Sequence, residues 1–163
     1  MSTYRLLTAS LAILTSAACN PFRHDPAVSV SAEDAMLNSR WHANLASPAS
    51  LAGAVQMSGS ASMAPSPDGN STNVTLSLTN ASPGGLHPWA MHYGQCGAGM
   101  DNGMFGLREA YKPLEVESDG HANGTATVPL QTPKTGRYFV VVLASAENSE
   151  TTVACGNLAP PTQ

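Results

Sequence analysis

Chemically capable side chains are concentrated in one short stretch of the chain, LHPWAMHYGQC, which runs from Leu86 to Cys96. It holds two of the five histidines, one of the two tryptophans, a methionine and a cysteine, whereas the sequence around it consists mainly of small residues. Imidazole and sulfur groups are common ligands of transition metals. The stretch is therefore compatible with a working metal site, a degenerate one, or a strand that only resembles a metal site.

The spacing of the two histidines argues against a shared metal. His87 and His92 are five residues apart, and an odd separation places side chains on opposite faces of a regular strand. Met91, His92, Met100 and Met104 form a different ligand set, because thioether and imidazole groups suit Cu(I). Methionine is also common core filler, so copper handling stands as an alternative to a core role.

The remaining histidines are weaker candidates. His42 is interpreted as a surface or edge residue of the first strand, and we expect His121 to be exposed in a turn. A relocated metal site built from His87, His92, His121 and Asp119 is a further alternative. The opposite strand faces of its first two members argue against it.

Residues 1–18 have the composition of a secretory signal peptide. Arg5 precedes an apolar and small-residue run that ends at Ala18 and is shorter than the ~20 residues that span a bilayer as a helix. The ending SAAC resembles the lipobox of bacterial lipoproteins, which implies that Cys19 is lipidated. Ser16 stands where that motif most often has Leu, so an ordinary cleavage after Ala17 or Ala18 stays open.

A lipidated Cys19 would hold the protein at a bacterial membrane. The chain has three cysteines, and an odd number leaves one thiol unpaired in an exported protein unless another reaction uses it. Asn20 follows Cys19 where an inner-membrane lipoprotein often has Asp. We therefore predict a lipid anchor in the cell envelope that faces the periplasm, with the outer membrane slightly favoured.

The segment 19–39 is polar and interrupted by prolines, so we predict a flexible tether between the lipid and a domain at 40–160. His24 is interpreted as a solvated residue of this tether. Only 11% of the residues are charged, the formal net charge is −4, and the seven Lys and Arg residues are scattered. A nucleic-acid partner is therefore not expected, and the sequence identifies no protein partner or oligomeric state.

The domain has the two-residue period of β-strands. In NVTLSLTNA, Val74, Leu76 and Leu78 share one face. GRYFVVVLAS and ETTVACGNL are further β-prone runs, and DGHANG is a hairpin signal between LEVES and TATVPL. No stretch of about a dozen residues has a convincing helical period. We predict an all-β sandwich or barrel of about eight strands, with Trp41 and Trp89 as packing residues.

These segments resemble the copper/zinc superoxide dismutase family. TNVTLSLTNASPGGLHPWAMHYGQC is similar to a family segment in which a strand, a Pro-Gly turn and Gly-Leu-His-Gly-Phe-His-x-His lead to a cysteine. TTVACGNL is similar to the C-terminal Ala-Cys-Gly strand, and the similarity covers roughly Trp41 to Leu158. It implies an eight-stranded Greek-key barrel and a disulfide between Cys96 and Cys155.

The resemblance also implies that most copper ligands are missing. The two histidines of the family's His-x-His motif match Ala90 and His92 here, and a further copper ligand would fall near Leu143. His87 matches a family histidine that has a structural, hydrogen-bonding place. A copper site of the family's kind would thus keep one ligand, which is insufficient to hold or cycle the metal.

The zinc site and the loop that guides the substrate are also altered. In the family the zinc ligands lie on the loop written here as GAGMDNGMFGLREAYKP, which contains Asp101 and Glu109 but no histidine. The segment ASAENSETTV contains no arginine that could guide superoxide inward, and Arg137 lies before the preceding strand.

We therefore predict an envelope lipoprotein with a degenerate, non-catalytic dismutase-like domain that acts as a binding or structural module. No catalytic residue is assigned, copper is the one cofactor kept as a candidate, and zinc is not expected. Two alternatives remain, a periplasmic copper-handling protein and an active superoxide dismutase with a rearranged metal site.

Overall fold

The computed structural model of the chain describes residues 39–53, 56–100 and 102–161. The signal peptide predicted at 1–18, Cys19 and His24 lie outside these ranges. The strands are β1 (Trp41–Ala46), β2 (Ser58–Pro65), β3 (Thr72–Thr79), β4 (Leu86–His87), β5 (Trp89–Tyr93), β6 (Leu114–Glu115), β7 (Ala122–Val128), β8 (Tyr138–Leu143) and β9 (Thr152–Leu158). Two short 3₁₀ helices span Ala49–Leu51 and Arg108–Ala110. The predicted all-β class is confirmed.

Seven of these strands form one antiparallel sheet in the order β5-β8-β9-β1-β2-β3-β7, and β4 pairs with β6 in a separate two-stranded ladder. The longest registers join β2 to β3 and β3 to β7. The sheet curls around a single main core to which most of the strands contribute buried side chains. Three of the six pairings in this sheet join consecutive strands, and the other three, such as β1 with β9 and β5 with β8, join strands that are distant in sequence.

Strands β1 and β3 follow the two-residue period, because only one face of each strand packs against the core. Buried and exposed residues alternate strictly along β1, and β3 buries Val74, Leu76 and Leu78 as the alternation predicted. Trp41 and Trp89 are buried, and each packs edge-on against a tyrosine, Tyr138 and Tyr111 respectively.

Strand β8 is an exception because all six of its residues are buried. Val140 and Val142 belong to the main core inside the curled sheet. Phe139, Val141 and Leu143 form a second apolar cluster on the opposite, outer face. A continuous apolar run is what a strand covered on both faces requires, so a further layer of chain must cover the outside of β8.

The hairpin predicted at DGHANG is only partly correct. The chain does turn there, because the Glu117 N–H donates to the His121 carbonyl and the Gly120 N–H donates to the Glu117 carbonyl. The strands on either side do not form a ladder with each other, since β6 pairs with β4 and β7 pairs with β3. The turn residues therefore determine where the chain reverses direction, but not which strands β6 and β7 pair with. No helix within the described ranges is long and apolar enough to cross a membrane.

Candidate functional site

Strands β5 and β8 position the part of the LHPWAMHYGQC stretch that contains Ala90 and His92. Their antiparallel register sets Ala90 opposite Val141 and His92 opposite Phe139. Side chains two apart on a strand share a face, so Ala90 and His92 lie on the outer face with the second apolar cluster. The His92 ring stacks on the Phe139 ring, with centroids 5.6 Å apart and planes inclined by 29°.

The His92 imidazole is nearly enclosed. Its side chain is 7% exposed, and its buried Nδ1 has no hydrogen-bond partner among the residues that the structure describes. Burial lowers the pKa of His92 below its ordinary value, and the positive charge of Arg108 acts in the same direction. A hydrogen bond to the Gly103 backbone opposes the shift only in part. The ring is therefore held in the neutral form that metal ligation requires.

His87 lies in a different environment. It belongs to β4, and its Nδ1 is 3.0 Å from the Leu143 carbonyl oxygen. A carbonyl can only accept, so Nδ1 carries the proton. The side chain is buried, and Gly85 leaves room for it, since a Cβ on Gly85 would approach His87 Nε2 to 3.0 Å. His87 thus ties β4 to the end of β8.

The other residues of a family-type or relocated metal site are dispersed. Leu143 is buried in the second apolar cluster, and Ala90, two residues before His92, is buried as well. His121 is exposed on a turn in which its own backbone N–H donates to Asp119. Glu109 is exposed in the second 3₁₀ helix. Asp101 lies outside the described residues.

A family-type copper and zinc pair does not fit this arrangement. Across the described part of the chain, no three or more His, Cys, Asp or Glu side chains come together in a group that could hold a metal ion. The outer face around His92 offers apolar side chains at the two positions from which copper ligands would come. Those side chains have no lone pair to donate.

A cavity of about 190 Å³ opens beside His92. Two of the methionines singled out in the sequence, Met100 and Met104, line it together with His92. Met91 does not, because it is fully buried in the main core on the other face of β5. The complete lining is Trp89, Ala90, His92, Met100, Met104, Arg108, Val141, Leu143, Ser149 and Glu150.

Met104 reaches this cavity through backbone pairing that the sequence did not indicate. His92 and Met104 form an isolated antiparallel bridge. The Tyr93 N–H donates to the Gly103 carbonyl, and the Phe105 N–H donates to the Met91 carbonyl. The 103–105 segment therefore continues the sheet beyond its edge strand β5. Directly opposite residues of an antiparallel pair share a face, which brings the Met104 and His92 side chains to the same place.

The predicted disulfide between Cys96 and Cys155 is confirmed. Cys155 lies on β9 opposite Val141 of β8, so the bond fastens the loop after β5 onto the outer face of the sheet. The Cys96 N–H also donates to Asn157 Oδ1 at 2.8 Å. Together these contacts place the loop that carries Met100 over the second apolar cluster.

A larger cavity of about 690 Å³ lies beside the disulfide and shares Met100, Val141 and Glu150 with the smaller one. Its floor is the outer face of β8 and β9. Arg108 and Glu150, which bring opposite charges to the smaller cavity, were not predicted from the sequence. They are far apart along the chain and belong to no motif, so no local signal could have found them.

Comparison of the chain with models of known protein families and with curated proteins finds no match. The assignment of a function therefore depends on the residues and geometry described above.

Proposed function

We propose that the protein is an exported lipoprotein of the bacterial envelope whose dismutase-like domain binds a ligand or partner and does not dismutate superoxide. The observation that carries the proposal is the outer face of β5 and β8. His92 lies there with Ala90 and Leu143, where a copper centre would need further imidazoles. Copper that cycles between two oxidation states needs several such ligands and an open position.

The proposed barrel topology is supported by the way in which the two sheets meet. Strand β4 leads into β5 across Pro88 and pairs with β6, and the Val116 N–H donates to the Gly85 carbonyl beside this pair. A sheet whose edge strands β5 and β7 are joined through β4 and β6 would be a closed barrel. In this order β3 pairs with β7 rather than with β4, which is a Greek-key type of crossover.

The proposed lipid anchor is supported by the fate of the cysteines. Cys96 and Cys155 are bonded to each other, which leaves Cys19 as the third cysteine of the chain. Acylation of Cys19 would use the remaining thiol and place the domain at a membrane, facing the periplasm. In bacteria grown with a labelled fatty acid, the chain should acquire the label and the Cys19→Ser variant should not. Label-free wild-type protein would contradict the anchor.

The non-catalytic role is tested by metal retention. The full chain, purified in detergent, is equilibrated with Cu(II) and Zn(II) together, desalted and analysed for both elements. We expect neither a stoichiometric Cu(II) signal in electron paramagnetic resonance nor stoichiometric zinc. Retention of one of each metal per chain would show that a rearranged dismutase site exists, and it would overturn the proposal.

A further inference from the structure

The cavity beside His92 is lined by three residues whose side chains can ligate a soft metal ion. His92, Met100 and Met104 all line it, and the antiparallel bridge sets the His92 and Met104 side chains next to each other. Met100 arrives from the loop that the disulfide fastens over the same face. Residues that carry two thioethers and one imidazole thus line one cavity, and they come from an edge strand, the segment paired with it and the covering loop.

One nitrogen of the His92 ring has no hydrogen-bond partner among the described residues. This nitrogen, Nδ1, is buried. Leaving a buried polar atom unsatisfied costs about 1–3 kcal/mol, so a ligand that reached Nδ1 would relieve an unfavourable group in a residue that lines this cavity.

The donor set selects one oxidation state of one metal. Soft thioether ligands favour Cu(I), whereas Zn(II) in proteins takes Cys, His and carboxylate ligands and Cu(II) takes nitrogen and oxygen ligands in a tetragonal arrangement. The ligands that a family-type centre lacks here are nitrogen donors, and the donors that accompany His92 are the sulfur atoms of Met100 and Met104. The same cavity is therefore unsuited to a cycling copper centre and suited to holding reduced copper.

The charged residues at the cavity do not prevent a cation from binding there. Arg108 and Glu150 both line it and are both exposed. Arg108 places a positive charge near His92 and Glu150 brings a negative charge to the same cavity, but solvent screens exposed groups strongly. Affinity would therefore come from the sulfur and nitrogen donors.

We propose that His92, Met100 and Met104 form a Cu(I) site, which makes reduced copper the ligand of the proposed binding module. This inference rests on the proposed non-catalytic function and names its ligand. The site binds Cu(I) without changing its oxidation state, so no electron donor or acceptor is needed. The ion comes from the reducing solution that supplies it, and it leaves in the same form.

The test is anaerobic titration of the full chain in detergent with Cu(I) against a colorimetric Cu(I) chelator, after alkylation of any free thiol so that Cys19 cannot contribute. We expect one Cu(I) per chain and both sulfur and nitrogen scatterers in the copper X-ray absorption spectrum. Loss of even the outer partners of metal ligands costs about 10–100-fold in affinity. Met104→Leu and Met100→Leu should each weaken binding by at least about tenfold, because each removes a ligand itself.

Met63→Leu is the matched control, because Met63 is fully buried in the main core and contributes nothing to the cavity. Methionine-to-leucine changes conserve volume and usually cost under about 1.5 kcal/mol, so all three variants should fold, as circular dichroism would verify. Absence of stoichiometric Cu(I) binding would overturn the site, as would unchanged affinity in folded Met104→Leu. Neither outcome touches the non-catalytic function, which is tested separately by retention of Cu(II) and Zn(II).

Discussion

The positions of the side chains around His92 could be predicted from the sequence only in part. The two-residue spacing of Ala90 and His92 correctly predicted a shared strand face, and the structure places both beside the second apolar cluster. The sequence analysis treated His87 and His92 as residues on opposite faces of one regular strand, whereas the structure places them on two strands, β4 and β5, which Pro88 separates. What single residues did not reveal is that Met104 would lie opposite His92, because that contact depends on an irregular segment pairing with an edge strand.

The lowered pKa of His92 makes folding stability depend on pH. Its pKa in the folded chain lies below the ordinary value of 6.5, so below about pH 6.5 the unfolded chain binds a proton that the folded chain resists. The contribution of His92 to the free energy of unfolding should therefore be fully present above that pH. It should decrease as the pH falls toward the pKa of the folded state.

His92→Gln should remove this part of the pH dependence, because an amide does not titrate in this range. Urea denaturation of wild type and variant at about pH 8 and about pH 5 measures the difference. If both proteins lose the same free energy of unfolding between the two values, His92 is not the group responsible.

The hydrogen bond of His87 should matter for stability and not for metal binding. In His87→Phe the ring shape is retained, but the Leu143 carbonyl loses its donor. We expect a loss of about 1–3 kcal/mol in the free energy of unfolding. His42→Phe is the control, because His42 is exposed on β1 and such surface changes usually stay within about 0.5 kcal/mol. Equal effects of the two changes would argue against a structural role for His87.

Strand β8 is buried on both faces, and a loop covers its outer face. The run of apolar residues in YFVVVL predicted a strand, and its full burial follows from the lack of any polar residue to face water. The sequence did not predict what would cover the outer face. That cover is the loop after β5, which the disulfide joins to β9 across a sequence separation of 59.

Leu143 tests whether the outer face of β8 is a true apolar layer. The side chain is buried there although it points away from the main core. Leu143→Ala should cost about 2–5 kcal/mol in the free energy of unfolding, as for a core leucine. Leu107→Ala should change it by less than about 0.5 kcal/mol, because Leu107 is 67% exposed. If Leu143→Ala changed the free energy of unfolding as little as Leu107→Ala, the outer face of β8 would be accessible to water.

The disulfide should stabilise the domain chiefly by restricting the unfolded chain. With a sequence separation of 59, the loop-entropy relation gives ~4 kcal/mol. The double variant Cys96→Ser with Cys155→Ser should lower the free energy of unfolding by about this amount in urea denaturation. Cys19→Ser, which removes a cysteine outside the bond, should leave it unchanged. A double variant as stable as wild type would show that the covering loop is held without the bond.

At the scale of the whole molecule, class and strand positions followed from the sequence, but the order of strands in the sheet did not. Alternation located β1 and β3, because burial on one face leaves a two-residue period, and a continuous apolar run located β8. The Asp-Gly turn near Gly120 correctly marked a reversal, yet β6 and β7 pair with different partners. Pairing between distant strands, and a cavity that joins Arg108 to Glu150, arise only when the chain has closed.

The proposal that the domain does not dismutate superoxide is tested by measuring the rate of superoxide decay. Superoxide is generated by pulse radiolysis in the presence of the full chain that has been incubated with copper and zinc and then desalted. We expect decay no faster than in buffer alone and no difference between wild type and His92→Gln. Decay with a second-order rate constant near the diffusional ceiling of about 10⁸–10⁹ M⁻¹s⁻¹, abolished by His92→Gln, would contradict the account.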